Sequence, residues 1–341
     1  MDGPGFLSWL YEPENQKHDL DESDVRIRPN PKGSRPRTKR RPNYDDLPQG
    51  MVLTVNLARY QVLTESGEIT ATLAKELRKQ GAVVGDFVYL DGDLSGAKGS
   101  LARIVKIADR KTLLRRSSED DSLNEQPIVA NADQLAVVMA SANPEPNIGL
   151  LDRYLASAFA SGLDAILIMT KTDVIDPSEF LEDLQGLPIS IFKTRSDDFN
   201  LSELKKQLAG KKTVFVGYSG VGKSTLVNAL TGTKLDTGDV NSVTGKGKHT
   251  SSAAKAIALD DGWLIDTPGV RTFGLGLIEK EDLLGAFEDI AEITTSCPRG
   301  CDHQSGTTGC ALNEENQIPI ARLNSFRRLL KVLEAEQWER K

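Results

Sequence analysis

The stretch GYSGVGKST at residues 217–225 constrains this chain more than any other. The apolar run KTVFV (212–216) enters it and STLVNAL (224–230) leaves it. That is the strand–loop–helix setting in which Gly217-x4-Gly222-Lys223-Ser224 acts as a phosphate-binding loop. The glycines let backbone N–H groups approach phosphate oxygens, and the helix N-terminus adds its dipole. Lys223 is expected to reach the β and γ phosphates and the Ser224 hydroxyl to bind Mg²⁺. Tyr218, Ser219, Gly220, Val221 and Thr225 complete the loop.

Two further motifs name the nucleotide. WLIDTPGV (263–270) fits a strand that delivers Asp266 to the magnesium shell, with the Gly269 backbone N–H sensing the γ-phosphate. The competing reading is a plain turn at Asp-Thr-Pro-Gly. Thr170, Lys171, Thr172 and Asp173 follow the apolar run DAILIMT. The Asp173 carboxylate can accept two N–H bonds from the guanine edge, whereas adenine would leave it unpaired. Lys171 is expected to pack along the base plane. Four residues alone are weak evidence; together with the other two motifs they point to GTP.

The order is unusual, because an ordinary GTPase places its phosphate loop before the guanine motif. A circular permutation accounts for the reversal: it keeps the contacts and changes only connectivity. The helical stretch 201–210, closed by Gly210, then needs only a short join to the strand at 212–216.

Outside these motifs the chain divides into further parts. Its 341 residues suit two or three domains, and 39% hydrophobic content is enough for real cores. No apolar run reaches the ~20 residues that cross a bilayer, and the N-terminus lacks the pattern of a secretory signal. A cytoplasmic protein with no membrane partner is expected. Residues 1–47 read as a disordered tail. Within it RIRPNPKGSRPRTKRRP (26–42) holds six Arg, two Lys and no acid. Setting aside those eight charges, the chain's −7 becomes −15. Such an arm either contacts nucleic acid through counterion release or simply solubilises.

Residues 48–118 contain five short β-type runs, MVLTVN, RYQVLT, EITATL, DFVYLD and LARIVKI, with a hairpin turn at Glu65-Ser66-Gly67. They suit a small barrel, an OB-fold in the first instance, although an SH3-like barrel has a similar pattern. Residues 119–276 alternate strands with helices and predict a parallel sheet covered on both faces. In the helical stretch 150–161, Leu151, Tyr154, Leu155 and Ala158 share one face. Residues 277–341 are expected to be helical around a Cys/His cluster, with Ile320, Leu323, Phe326, Leu330 and Leu333 at helical spacing in the last helix. All three cysteines, Cys297, Cys301 and Cys310, lie within 14 residues and enclose His303. Three thiolates and an imidazole form a closed shell suited to one structural Zn²⁺.

The motifs ANADQLAVV (130–138), TKTD, GYSGVGKSTLVNAL, GKGKHTSS (245–252), DTPGVRTFGL and CPRGCDHQSGTTGCAL (297–312) together resemble the circularly permuted, ribosome small-subunit-dependent GTPase A family, RsgA or YjeQ. The resemblance covers about residues 50 to 335. It implies an N-terminal OB domain, a permuted P-loop GTPase domain and a C-terminal zinc domain. It also implies a role in late assembly of the small (30S) ribosomal subunit, contact with its 16S rRNA, and GTP hydrolysis stimulated by that subunit. A monomer is expected.

The resemblance also bears on catalysis. Val270, after the magnesium-motif glycine, cannot orient water as a Gln there would. The family uses a His in the switch segment, and His249 stands at that place, with Thr250 or Ser251 to supply a hydroxyl to Mg²⁺. The alternative is that His249 is a loop residue and that Lys246 and Lys248 bind RNA phosphate. Two features depart from the family pattern. The zinc spacing is three and six residues, where four and five are usual. Phe192 and Lys193 are the nearest counterparts of the fifth GTPase motif. A metabolic or signalling NTPase and an RNA-binding module with a purely structural nucleotide site are the rival readings.

Overall fold

A computed structural model describes residues 44–116, 126–195, 201–232, 254–267, 279–314 and 318–338. It begins with β1 (Gln49–Asn56), β2 (Arg59–Thr64), β3 (Gly67–Leu73), β4 (Phe87–Gly92) and β5 (Ala102–Ile107). These pair in the order β1–β2–β3–β5–β4, and β4 returns to β1 and closes the barrel. The β3–β5 pair is parallel and the others antiparallel. That closed order is the OB arrangement, which decides against the SH3-like alternative. Successive side chains on a strand point to opposite faces. Val52 of β1 therefore fills the barrel, while Met51 and Leu53 belong to the core of the α/β part.

β6 (Leu113–Arg116) and β7 (Gln126–Ala130) form an antiparallel pair between the two parts. The sequence reading did not anticipate this pair, because each run is short and a polar stretch separates them. Asn131 seals the junction beside it. Its amide donates to the Gly85 carbonyl at 3.0 Å, and its Oδ1 accepts from the Lys111 N–H at 2.8 Å. Gly85 must be a glycine here: a Cβ would stand 2.1 Å from the Ala130 carbonyl oxygen.

The α/β part follows as β8 (Gln134–Ala140), α1 (Ile148–Ala160), β9 (Asp164–Thr170), α2 (Ser178–Glu182), β10 (Ile189–Lys193), α3 (Ser202–Leu208), β11 (Lys212–Val216), α4 (Lys223–Thr231), β12 (Lys255–Ala258) and β13 (Trp263–Asp266). The sheet order is β10–β9–β8–β11–β13–β12, with only β12 antiparallel. All seven residues of β8 are buried, as a strand covered on both faces requires. Ala136, Val138 and Ala140 pack with α3 and α4; Leu135, Val137 and Met139 pack with α1. Three residues join α3 to β11, so the short connection that a permutation needs is present. At the far edge β12 pairs with β1 at Thr54 and Lys255, and the α/β sheet runs on into the barrel.

The chain ends in α5 (Lys280–Leu284), α6 (Glu288–Thr294) and α7 (Ile320–Trp338). Phe287 sits between Phe159 of α1 and Phe326 of α7, with ring centroids 5.9 and 5.3 Å away. Leu323, Phe326, Leu330 and Leu333 are buried as their spacing predicts, and Leu329 joins them. Ile320 does not: it is the first residue of α7 and is 77% exposed. Among the described residues no helix is long and apolar enough to cross a membrane.

Candidate active site and metal centre

The phosphate loop leaves the C-terminal end of β11 beside the C-terminal end of β8. From these neighbouring strands the chain passes to helices on opposite faces, α4 and α1, so a crevice opens between them. In open α/β sheets ligands bind at such a switch point. The loop lies tight on the sheet, and a Cβ on Gly217 would come within 2.6 Å of the Val138 carbonyl oxygen. Gly220 (φ 83°) and Gly222 (φ 88°) adopt left-handed backbone, which turns the chain into α4. Gly222 caps α4 without any side chain, which leaves the first backbone N–H groups of the helix to a ligand. Tyr218, half exposed, lines a cleft of about 230 Å³ together with Pro144, Glu145 and Leu150.

Lys223 and Asp266 meet across β11 and β13. The strand register sets Phe215 against Asp266, and the Lys223 ammonium lies 2.6 Å from the Asp266 carboxylate. Lys223 also donates to the Thr267 carbonyl at 3.3 Å, while the Thr267 hydroxyl donates to the Phe215 carbonyl at 2.9 Å. Ser224 follows Lys223 in the first turn of α4. An Asp carboxylate and a Ser hydroxyl beside a helix N-terminus are hard oxygen donors of the type that suit Mg²⁺ with phosphates. Gly269, His249, Thr250 and Ser251 lie outside the described residues.

The guanine-type motif comes off β9 and is stapled to the phosphate loop. The buried Thr170 hydroxyl donates to the Val221 carbonyl at 2.6 Å. The Lys171 ammonium donates to the Gly220 carbonyl at 2.9 Å and to the Asn143 carbonyl. Lys171 thus grips the loop backbone, a contact that the base-stacking expectation did not include. Thr172 is held by the Thr194 carbonyl, which accepts from its N–H and its hydroxyl, each at 3.2 Å. Asp173 lies in the exposed turn that follows. Ser141, Asn143 and Thr194 are the participants that sequence reasoning missed. For the first two there was a signal: the polar SAN that ends the buried run of β8, next to the end of β9.

The Cys/His cluster lies between α6 and α7. The ligand atoms of Cys297, Cys301, His303 and Cys310 all fall within 4.8 Å of one another. The three-and-six spacing therefore closes a four-donor shell, helped by left-handed backbone at Gly300, His303 and Gly309. The donor set fits a zinc ion. The buried Nδ1 of His303 has no hydrogen-bond partner among the described residues. Backbone N–H groups of Ala311 and His303 point at the Cys297 and Cys301 sulfurs, at 3.3 and 3.4 Å. Burial and the neighbouring Cys301 and Cys297 push the Cys310 thiol up to about 11. Burial, then Lys280, lower the His303 pKa, which favours the neutral imidazole a metal needs. A bound zinc would crosslink the segment; four protein ligands leave it no open position for catalysis.

The comparisons with known proteins agree with this geometry. The family profile described as RsgA GTPase matches residues 107–276. A small ribosomal subunit biogenesis GTPase RsgA 2 from Bacteroides thetaiotaomicron is 33% identical over 306 residues, which is 85% of this chain and 97% of that one. The small ribosomal subunit biogenesis GTPase RsgA of Alcanivorax borkumensis is 37% identical over 272 residues, 76% of this chain and 75% of its own. Among solved structures, the circularly permuted GTPase YloQ aligns with a TM-score of 0.62 and 26% identity, covering 88% of this chain and 98% of YloQ. YjeQ from Thermotoga maritima aligns with a TM-score of 0.57 and 25% identity, covering 84% and 98%. A permuted sheet that brings its guanine-type motif onto the phosphate loop, with a relative 33% identical and matched over 97% of its length, places this chain in the RsgA family of circularly permuted GTPases, as a GTP hydrolase.

Proposed function

We propose that this GTPase binds the small ribosomal subunit and assists its late maturation, with hydrolysis of GTP stimulated by the subunit. The names of its relatives support the ribosomal role. The observation that carries the nucleotide assignment is the staple from Thr170 and Lys171 to the carbonyls of Val221 and Gly220. In this reading Asp173 accepts from the guanine edge, and the backbone of Gly217–Thr225 cradles the phosphates. Lys223 leaves Asp266 to reach the β and γ oxygens. Ser224, Asp266 and Thr250 or Ser251 would hold Mg²⁺, which supplies charge neutralisation on the phosphates when bound. The Gly269 N–H senses the γ-phosphate. His249 orients the attacking water, and turnover is slow until the subunit binds.

The tail 1–47, the barrel 48–118, the GTPase part 119–276 and the zinc-bearing part 277–341 act as one chain, as a cytoplasmic monomer. The basic arm, the OB face and the zinc-bearing part contact 16S rRNA. An acidic chain with a concentrated basic segment suits local phosphate contact of this kind. Sedimentation with purified 30S particles in GTP and GDP, paired with GTP turnover with and without the particles, tests the proposal. Co-sedimentation that weakens with salt and turnover that rises with 30S are expected. No co-sedimentation in any nucleotide state contradicts the ribosomal assignment.

A further inference from the structure

Ser141 belongs to none of the sequence motifs, yet it bonds the guanine-type motif twice. It follows β8 directly and is 5% exposed. Its backbone N–H donates to the Thr170 carbonyl at 2.9 Å. Its hydroxyl donates to the Lys171 carbonyl at 2.6 Å. Lys171 is where the chain turns off β9, and its φ of 56° lies in the left-handed region that a side chain rarely adopts. A residue held there is fixed by its surroundings. The Lys171 ammonium is tied to Gly220 and Asn143, but those bonds run through a long, flexible side chain. The peptide between Lys171 and Thr172 is held by shorter means: Thr194 on its N–H, and on its carbonyl both the Val174 N–H of the turn itself, at 2.9 Å, and the Ser141 hydroxyl, which reaches it from outside the turn. Asp173 is the next residue along.

We propose that Ser141 is a positioning residue for base selection: its hydroxyl sets the Lys171–Thr172 peptide and so aims Asp173 at the guanine edge. This rests on the assignment of Asp173 as the guanine acceptor. Loss of the hydroxyl removes the carbonyl's anchor from outside the turn and leaves it the Val174 N–H, which moves with the turn and cannot fix its tilt. The base contact suffers, because it depends on where a single carboxylate points. The phosphate contacts do not, because they come from β11 and α4.

The test is the affinity of the full chain for GDP and for IDP, whose base lacks the 2-amino group that Asp173 would bind. Ser141→Ala is expected to narrow the GDP preference over IDP by about fivefold, the value of one hydrogen bond. Affinity for IDP, whose base keeps one of the two N–H donors to Asp173, falls less than that for GDP, and Ser141→Thr, which keeps the hydroxyl, restores the preference. A GDP:IDP ratio unchanged in Ser141→Ala, or an equal loss of both affinities, overturns the proposal. If Ser141→Ala does not fold, Ser141→Cys keeps the volume with a weak donor and must narrow the ratio partway; an unchanged ratio there overturns it equally. Asp173→Asn separates the two assignments. A switch toward xanthosine diphosphate in that variant, with a normal ratio in Ser141→Ala, sinks only the role of Ser141. No switch sinks the reading of Asp173 itself.

Discussion

Lys171 makes more bonds than a side chain stacked on a base needs. Its ammonium spans from the phosphate loop at Gly220 to the Asn143 carbonyl, so it holds together segments far apart in sequence. Lys171→Met keeps the stem and removes those bonds. Charged hydrogen bonds contribute about 1.5–3 kcal/mol each, so nucleotide affinity is expected to fall by at least about tenfold, read by titration with GDP. Gly217→Ala is expected to abolish binding, since its new methyl would press on the Val138 carbonyl at 2.6 Å; wild-type affinity would contradict the tight seating of the loop. At the metal centre the sign of a pH effect is fixed. With no ion bound, the Cys310 thiol at about 11 is protonated at neutral pH, and zinc binds the thiolate. Uptake must release that proton, so zinc affinity should rise with pH in competition titrations against a chelator. A flat profile from pH 6 to pH 8, as roughly bounded by ordinary His and Cys ionisation, would contradict a thiolate-bound metal.

At the scale of elements, strands with continuous apolar runs were legible in sequence and those defined by partners were not. β8 and β9 announce themselves because burial on both faces forces an unbroken apolar run. β6 and β7 are only four and five residues long and exist through each other, a pairing no local pattern encodes. The pairing of β12 with β1 is hidden for the same reason. Helical spacing identified the face of α7 but not its start, so Ile320 falls on the exposed first turn. Where α7 docks on α1, the ring of Phe287 is fully buried between two others. Phe287→Ala should cost about 3–5 kcal/mol in denaturant melts. Arg328 of α7 holds the buried Asp152 of α1 at 2.7 Å. Burial raises the Asp152 pKa and Arg328 partly restores it. Arg328→Ala strands that carboxylate, at a cost of roughly 3–5 kcal/mol, and the loss should ease at low pH, where Asp152 can protonate. A pH-independent loss would show that packing, not charge, holds the pair.

For the whole molecule, the order of motifs along the chain carried most of the information. The reversed order of TKTD and the phosphate loop pointed to a permuted sheet, and the strand order β10–β9–β8–β11–β13–β12 is that sheet. The permutation ends the GTPase sheet at β13, so Asp266 and Thr267 stand at the head of the segment that leads to α5 and the zinc-type cluster. The staple of Thr170 and Lys171 onto Val221 and Gly220 was not legible, because it joins ends of two strands that β8 separates. The staple supports our proposal that motifs in reversed order form one guanine-nucleotide site. The most direct measurement is the specificity of Asp173→Asn for GTP against xanthosine triphosphate. GTP affinity and turnover are expected to fall while xanthosine triphosphate becomes the preferred substrate. Unchanged affinity for GTP would contradict the proposal.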